Sequence, residues 1–243
     1  MSFNYSLAPE NPFPTGLCDC FAAITAVRAP VACHFTVPSV NDPLHVQVLQ
    51  HLRPRHLVLA GDSAGANLAL AAATMILHPQ YMSPDSRNFC AHTTQTLQHR
   101  EELHLADAAA CSALLSAAMQ KASPVAAQTM GGDISAVTST PSPRVSAVLL
   151  LYPALDPSRA STSHVTHAAS PALSASEMTW FWQQYVPDYN VAAAHTASPL
   201  YAALVTSDDI LQRLPPVFVA TAGQDPLCDE GTSLATRLKV RCV

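Results

Sequence analysis

The sequence predicts an α/β fold, with a mostly parallel sheet and helices on both of its faces. Two observations lead to this prediction. Short apolar segments of strand length alternate with longer segments of helical periodicity. One tight, glycine-flanked turn joins a predicted strand directly to a predicted helix. At 243 residues and 49% apolar content, the chain is long enough for one α/β domain with a large core.

The predicted strands are short apolar runs, as expected for strands in a parallel sheet that are buried on both faces. The predicted helices carry apolar residues at helical spacing. One of them is ended by Pro54, and a later one takes an apolar side from Trp180, Phe181 and Trp182. In chain order, we expect helices at 17–27 and 44–52, a strand at 56–60, a helix at 67–77, strands at 145–152 and 217–221, and helices at 174–186 and 230–240.

The composition changes between residues 79 and 143, where Ala, Ser, Thr, Gln and His dominate. Part of this segment, 96–121, has the alanine content of a helix. The rest is typical of a loop or a disordered insert. We therefore expect a single domain over residues 1–243, with a low-complexity insert at 79–143.

Charge and cysteine content exclude several classes of function. Charged residues make up 12% of the chain, the net charge is −5, and no basic block indicates a nucleic-acid partner. No apolar run is long enough to span a membrane, and the first residues do not resemble a signal peptide. The seven cysteines are irregularly spaced, which favours free thiols in a reducing, cytoplasmic compartment. His92, His99 and His104 lack metal-site spacing, so neither a metal nor a cofactor is expected.

The segment Gly61-Asp62-Ser63-Ala64-Gly65 fits the pattern G-x-S-x-G between a predicted strand and a predicted helix. Such a turn strains the serine backbone, and glycine on both sides would avoid collisions. The serine hydroxyl would then lie at the positive end of the following helix. The amide of Ala64 would point to where an oxyanion forms. The pattern predicts a nucleophilic serine at position 63.

A serine nucleophile needs a base and an acid that orients the base. Asp225 follows the predicted strand at 217–221, and the carboxyl end of a strand is where a catalytic acid is expected. The alternative is an ordinary Asp-Pro turn.

Several segments together resemble one family, the hormone-sensitive-lipase-like α/β-hydrolases, also called the α/β-hydrolase fold-3 group. Tyr5 to Glu10 is similar to the family's Y-R-L-A-P-E, and Gly61 to Asn67 is similar to G-D-S-A-G-G-N. The other matching segments are Leu150–Pro153, Trp180–Tyr185, Ala197–Leu200 and Leu214–Gly231. The resemblance implies hydrolysis of small carboxylic esters through an acyl-serine, with Ser63 as nucleophile and Asp225 orienting the base.

The sequence departs from the family pattern at both ends. The family's H-G-G-G segment, which completes the oxyanion hole, lies upstream of the segment that matches Tyr5. The catalytic histidine should follow Asp225, but no histidine follows His195. We therefore expect an α/β-hydrolase fold that is incomplete at its N- and C-termini, with weak or no activity.

Two alternatives remain open at the level of the sequence. The chain could be a catalytically dead relative that binds a small ligand, with Ser63 and the Trp180/Trp182 side lining an apolar pocket. It could also be a non-functional gene fragment. A substitute base is not expected among the other histidines, because none has the chain order of this triad. They are His34, His45, His51, His56, His164, His167 and His195.

Overall fold

The computed structural model describes residues 2, 4–28, 55–78, 144–186, 189–190 and 198–239. The predicted helices at 44–52 and within 96–121, and the insert at 79–143, lie outside the described residues. Contacts divide the chain into two compact units, one formed by 1–21, 56–78 and 145–243, the other by 22–55 and 79–144. The sheet and the candidate site lie almost wholly in the first unit.

Among the described residues, three strands form one sheet, and all three were predicted. In their order across the sheet they are β1 (His56–Asp62), β2 (Arg144–Leu151) and β3 (Val217–Ala220). β2 and β3 are parallel, with Val148 opposite Val217. β1 also runs parallel to β2, because backbone hydrogen bonds join their starts to each other and their ends to each other. The Arg144 amide donates to the Arg55 carbonyl where the strands begin, and the Ala154 amide donates to the Ser63 carbonyl just after they end. The carboxyl ends of all three strands therefore meet at one edge of the sheet.

Six α-helices and one 3-10 helix lie among the described residues. They are α1 (Thr15–Arg28), α2 (Ser63–Leu77), α3 (Thr162–Thr166), α4 (Ala175–Tyr185), the 3-10 helix (Ala203–Val205), α5 (Asp208–Leu211) and α6 (Cys228–Lys239). The four long helices confirm the predictions for those segments. The three short elements were not predicted, because a helix of five residues or fewer is too short to show a periodic pattern. No helix among the described residues is both long and apolar enough to cross a membrane.

Helix α4 begins with a capping box. The Ser174 hydroxyl accepts a hydrogen bond from the Glu177 amide, and the Glu177 carboxylate accepts one from the Ser174 amide at 2.7 Å. The predicted apolar side is only partly right, since Trp182 is buried but Trp180 and Phe181 are 52% and 49% exposed. Three consecutive residues span about 200° of a helix, so they cannot share one buried face.

The main core lies between one face of the sheet and the helices α2 and α6. Val148 and Leu150 of β2 meet the alanine-rich side of α2 and Leu234 of α6. On the other face of the sheet, Val58 and Phe218 are each 58% exposed. The expectation that the strands are buried on both faces is therefore wrong for these two positions. Along β1, exposed and half-buried side chains alternate instead, as in a strand with one packed face and one exposed face.

Candidate active site

Ser63 lies where β1 ends and α2 begins, with no loop residue between the two elements. Its φ is +49°, a left-handed value that is unfavourable for a residue with a side chain. The predicted strained backbone at the serine is confirmed. No separate turn is found at 61–65, where the sequence predicted one. β1 extends to Asp62 and α2 begins at Ser63, so the chain changes direction at Ser63 itself.

Gly61 permits this change of direction. A Cβ atom at Gly61 would lie 2.2 Å from the carbonyl oxygen of Gly65 and 2.7 Å from the amide nitrogen of Ala66. Both are backbone atoms in the first turn of α2 and cannot move aside. A side chain at position 61 is therefore incompatible with the sharp corner, as the sequence predicted.

Gly65 does not have the steric role expected for it. A Cβ atom there would have only an ordinary contact among the described residues, 3.9 Å from Oδ1 of Asp62. The crowding is one-sided, because a Cβ atom at Gly61 would collide with the Gly65 carbonyl, whereas a Cβ atom at Gly65 would not collide with its neighbours. One glycine, not two, is required by this geometry.

Asn67 holds the corner in place, a role that the sequence reasoning did not give it. It is buried one turn after Ser63 on α2. Its side-chain amide donates to the carbonyls of Ala154, at 2.8 Å, and Tyr201, at 2.7 Å. The Ala154 amide in turn donates to the Ser63 carbonyl at 3.3 Å. Asn67 thus joins the start of α2 to the segment that follows β2.

The environment of Ser63 favours negative charge. Ser63 is half-buried and is the first residue of a 15-residue helix with no acidic residue in its first turn. The first amides of a helix have no partner within it, and they carry the positive end of the helix dipole. Ala64, beside the serine, is exposed. Among the described residues, no hydrogen bond occupies the Ser63 hydroxyl.

Asp225 follows β3 in the connection to α6 and is half-buried. One of its carboxylate oxygens accepts the Leu227 amide at 2.9 Å. This is the local bond of an Asp-Pro turn, the alternative considered for this residue. The second oxygen accepts no hydrogen bond from the described residues.

The sheet places Ser63 and Asp225 at the same edge. Ser63 terminates β1, Asp225 follows β3, and β2 lies between them. Neighbouring strands are about 4.8 Å apart, so the two strand ends are separated by roughly 10 Å.

Helix α3 anchors the Asp225 loop. The Ser163 hydroxyl donates to the carbonyl of Pro226 at 2.6 Å, and the Ser163 amide donates to the Asp229 carboxylate at 2.8 Å. The Asp229 amide returns a bond to the Ser163 hydroxyl at 3.2 Å. This contact was not predicted, because α3 has only five residues and shows no periodic pattern in the sequence.

The sequence also missed Glu230, on the first turn of α6. Its carboxyl group is fully buried and accepts the amides of Leu155 at 2.5 Å and Asp156 at 2.8 Å. Burial raises the pKa of Glu230 from 4.5 to about 8, although the two amide bonds act in the opposite direction. The sequence motif D-E-G contained the residue but gave no sign that its side chain points inward.

Four histidines lie among the described residues. His164, on α3, and His78, just after α2, are buried, His167 is half-buried, and His56 is exposed with Nδ1 2.8 Å from the Ser146 hydroxyl. Burial lowers the pKa of His164. No group of three possible metal ligands occurs in the described part of the chain. His34, His45, His51, His92, His99, His104 and His195 lie outside the described residues.

Comparison with known families identifies the fold. A family profile described as alpha/beta hydrolase fold matches residues 1–122 and 108–243. The chain belongs to the alpha/beta hydrolase family. It is 34% identical over 238 residues to carboxylesterase NlhH of Mycobacterium tuberculosis, covering 98% of this chain and 50% of that protein. A protein of Acanthamoeba polyphaga mimivirus, described as an alpha/beta hydrolase, is 30% identical over 235 residues, which cover 97% of this chain and 44% of that protein.

Solved structures agree with the family assignment at the level of the fold. A bacterial heroin esterase superposes with a TM-score of 0.59 at 22% identity, covering 99% of this chain and 51% of that one. Carboxyl esterase 2 of Tuber melanosporum superposes with a TM-score of 0.58 at 16% identity, covering 99% and 53%. The resemblance and the fold class predicted from the sequence are confirmed. The chain spans about half the length of these relatives.

Proposed function

We propose that this alpha/beta hydrolase is a carboxylic-ester hydrolase that acts through an acyl-serine intermediate, with Ser63 as its nucleophile. The observation that supports this most strongly is the corner at Ser63. A left-handed φ of +49° and a glycine that contacts the helix backbone hold a serine at a helix N-terminus. A strained, well-fixed conformation of this kind is typical of a functional residue.

In the proposed reaction, the Ser63 hydroxyl oxygen attacks the ester carbonyl carbon and loses its proton to a base. The carbonyl oxygen becomes negatively charged and accepts the Ala64 amide, one donor of an oxyanion hole. The bond to the alcohol oxygen then breaks, the alcohol takes up the proton, and the acyl group remains on Ser63. Water releases it by the same steps in reverse.

Asp225 is proposed as the group that orients the base. Asp225 follows β3 at the edge of the sheet where β1 ends at Ser63, and this shared edge supports the proposed role. Its second carboxylate oxygen accepts no bond from the described residues. An oriented base of this kind would hold the correct tautomer toward the serine.

Hydrolysis of p-nitrophenyl acetate tests the proposal. If Ser63 attacks the ester with the help of an oriented base, we expect turnover that Ser63→Ala reduces to the solvent background and that Asp225→Asn lowers. Ser233→Ala, at an exposed position on α6, is the matched control and should leave the rate unchanged. Equal rates for the wild type and Ser63→Ala would contradict the proposal, whereas Ser63-dependent turnover would exclude a module that only binds a ligand.

A further inference from the structure

A buried pair of titratable groups lies behind the Asp225 loop and takes no part in the proposed reaction. Glu230 is 0% exposed and His164 is 4% exposed. Oε1 of Glu230 lies 3.5 Å from Nε2 of His164, and neither of these buried atoms makes a regular hydrogen bond to any described residue. The pair joins α6 to α3.

From His164, a series of polar contacts leads back to the loop. Nδ1 of His164 lies 2.9 Å from the Ser161 hydroxyl, which lies 3.1 Å from the Ser163 hydroxyl. Ser163 donates to the carbonyl of Pro226 at 2.6 Å, and Pro226 directly follows Asp225. We call these four contacts, from Glu230 to Pro226, the loop chain.

The number of protons available fixes the direction of the loop chain. A carbonyl only accepts, so the hydroxyl proton of Ser163 is committed to Pro226. The Ser161–Ser163 contact then needs the proton of Ser161, and the Ser161–His164 contact needs a proton on Nδ1. A neutral imidazole protonated at Nδ1 has a bare Nε2, which can only accept. The facing atom, Oε1 of Glu230, must then be the donor.

We propose that Glu230 carries its proton toward Nε2 of His164, and that this single proton orients the loop chain that positions the Asp225 loop. Glu230, His164, Ser161 and Ser163 are thus positioning residues. Their use in catalysis rests on the proposed function of Asp225, but the loop chain itself does not depend on turnover.

The surroundings of the pair favour the neutral form of both groups. An ionised carboxylate or imidazolium in a fully buried position loses its hydration. Burial is the largest influence on both groups, raising the pKa of Glu230 and lowering that of His164. The charged groups that act on the pair are Asp156, Asp225, Asp229 and Arg159. Asp156 and Asp225 further raise the pKa of Glu230. Arg159 further lowers the pKa of His164, whereas Asp156, Asp225 and Asp229 act to raise it, and burial outweighs them.

Loss of the Glu230 proton to solvent would break the loop chain in its middle. The carboxylate then accepts from Nε2–H of His164, so Nδ1 becomes the acceptor for Ser161. The Ser161 hydroxyl then donates to His164, and the Ser163 hydroxyl still donates to the Pro226 carbonyl. No proton is left for a hydrogen bond between Ser161 and Ser163. The Asp225 loop should therefore loosen as the pH rises through the titration of Glu230.

Nitrogen-15 NMR of the full chain, labelled at histidine, tests the tautomer directly. At pH 7, we expect His164 to be neutral with a proton on Nδ1 and none on Nε2. A proton on Nε2, whether in the other tautomer or in an imidazolium, would overturn the proposal. A histidine that is merely packed has no reason to prefer the Nδ1–H form.

Amide hydrogen exchange tests the consequence for the loop, measured at the Asp229 amide and corrected for the intrinsic effect of pH. Ser161→Ala should speed exchange about fivefold at pH 7, the loss expected for one hydrogen bond. The wild type should show a similar rise above about pH 8. Glu230→Gln should show none, because its amide group always donates to His164 and its oxygen still accepts the two backbone amides.

Ser233→Ala serves as the control for the exchange experiment. Unchanged exchange in Ser161→Ala, or the same pH dependence in Glu230→Gln as in the wild type, would overturn the proposal. Both measurements are independent of ester hydrolysis. A chain with the expected tautomer but no Ser63-dependent turnover would disprove the proposed function and leave the loop chain standing.

Discussion

Replacing Glu230 with glutamine should remove a pH dependence from the stability of the fold. The pKa of Glu230 rises from 4.5 in the unfolded chain to about 8 in the folded chain. Between these values, the folded chain keeps a proton that the unfolded chain has released, so rising pH favours unfolding. The glutamine variant has nearly the same shape and the same hydrogen bonds, but it cannot ionise.

The size of the effect follows from the shift. Each pH unit within the window changes the free energy of unfolding by about 1.4 kcal/mol. His164 has a lowered pKa, so below its ordinary value of 6.5 it adds the opposite trend. The range from pH 6.5 to 8 isolates Glu230, and there the stability of the wild type relative to Glu230→Gln should fall by about 2 kcal/mol. Above that range the difference should level off.

Urea denaturation of both proteins at several pH values measures this difference. Taking the difference between the two proteins removes the contributions of all other titrating groups that the substitution leaves unchanged. A difference that stays constant from pH 6.5 to 8, or that grows with pH, would show that Glu230 is ionised in the folded chain.

Three further predictions compare matched positions. Gly61→Ala should abolish Ser63-dependent hydrolysis and destabilise the fold, because a Cβ atom there would lie 2.2 Å from a backbone oxygen. Its control is Gly223→Ala, where a Cβ atom would have no neighbour within 4 Å, and which should leave the stability in urea denaturation nearly unchanged. Leu150→Ala should cost about 2–5 kcal/mol and Leu151→Ala much less, because the first side chain is 0% and the second 36% exposed; equal losses would contradict the assignment of sheet faces. Asn67→Ala should lower the free energy of unfolding, measured in urea, by about 2–4 kcal/mol, since it leaves two carbonyl groups without their donor. A loss below about 0.5 kcal/mol, which is usual for surface positions, would contradict the role of Asn67.

The sequence predicted the strands and the long helices well, because each has a periodic pattern of its own. It failed for α3 and α5, which are too short to show a period. It also overestimated the apolar side of α4. Consecutive aromatic residues form one apolar segment in the sequence, but the helix places Trp180 and Trp182 on different sides, one exposed and one buried.

The candidate site was predictable where a local pattern carries the geometry. The pattern around Ser63 contains its own reason, since the strained corner and the glycine that permits it lie within a few residues. The supporting residues could not be found in this way. Asn67 bonds to segments 87 and 134 residues away, and Ser163 and Glu230 bond to segments more than 60 residues away. Such contacts exist only once the chain is folded. The roles of Ser63 and Asp225, the single-domain organisation and the cytoplasmic location stay predictions.

The central claim is that Ser63 is a nucleophile held outward on a strained corner. Reaction of the folded chain with a fluorophosphonate, followed by peptide mass spectrometry, tests this claim most directly. We expect one covalent adduct, on Ser63, which disappears in Ser63→Ala and when the chain is unfolded in urea before labelling. No adduct on Ser63, or equal labelling of other serines, would contradict the claim.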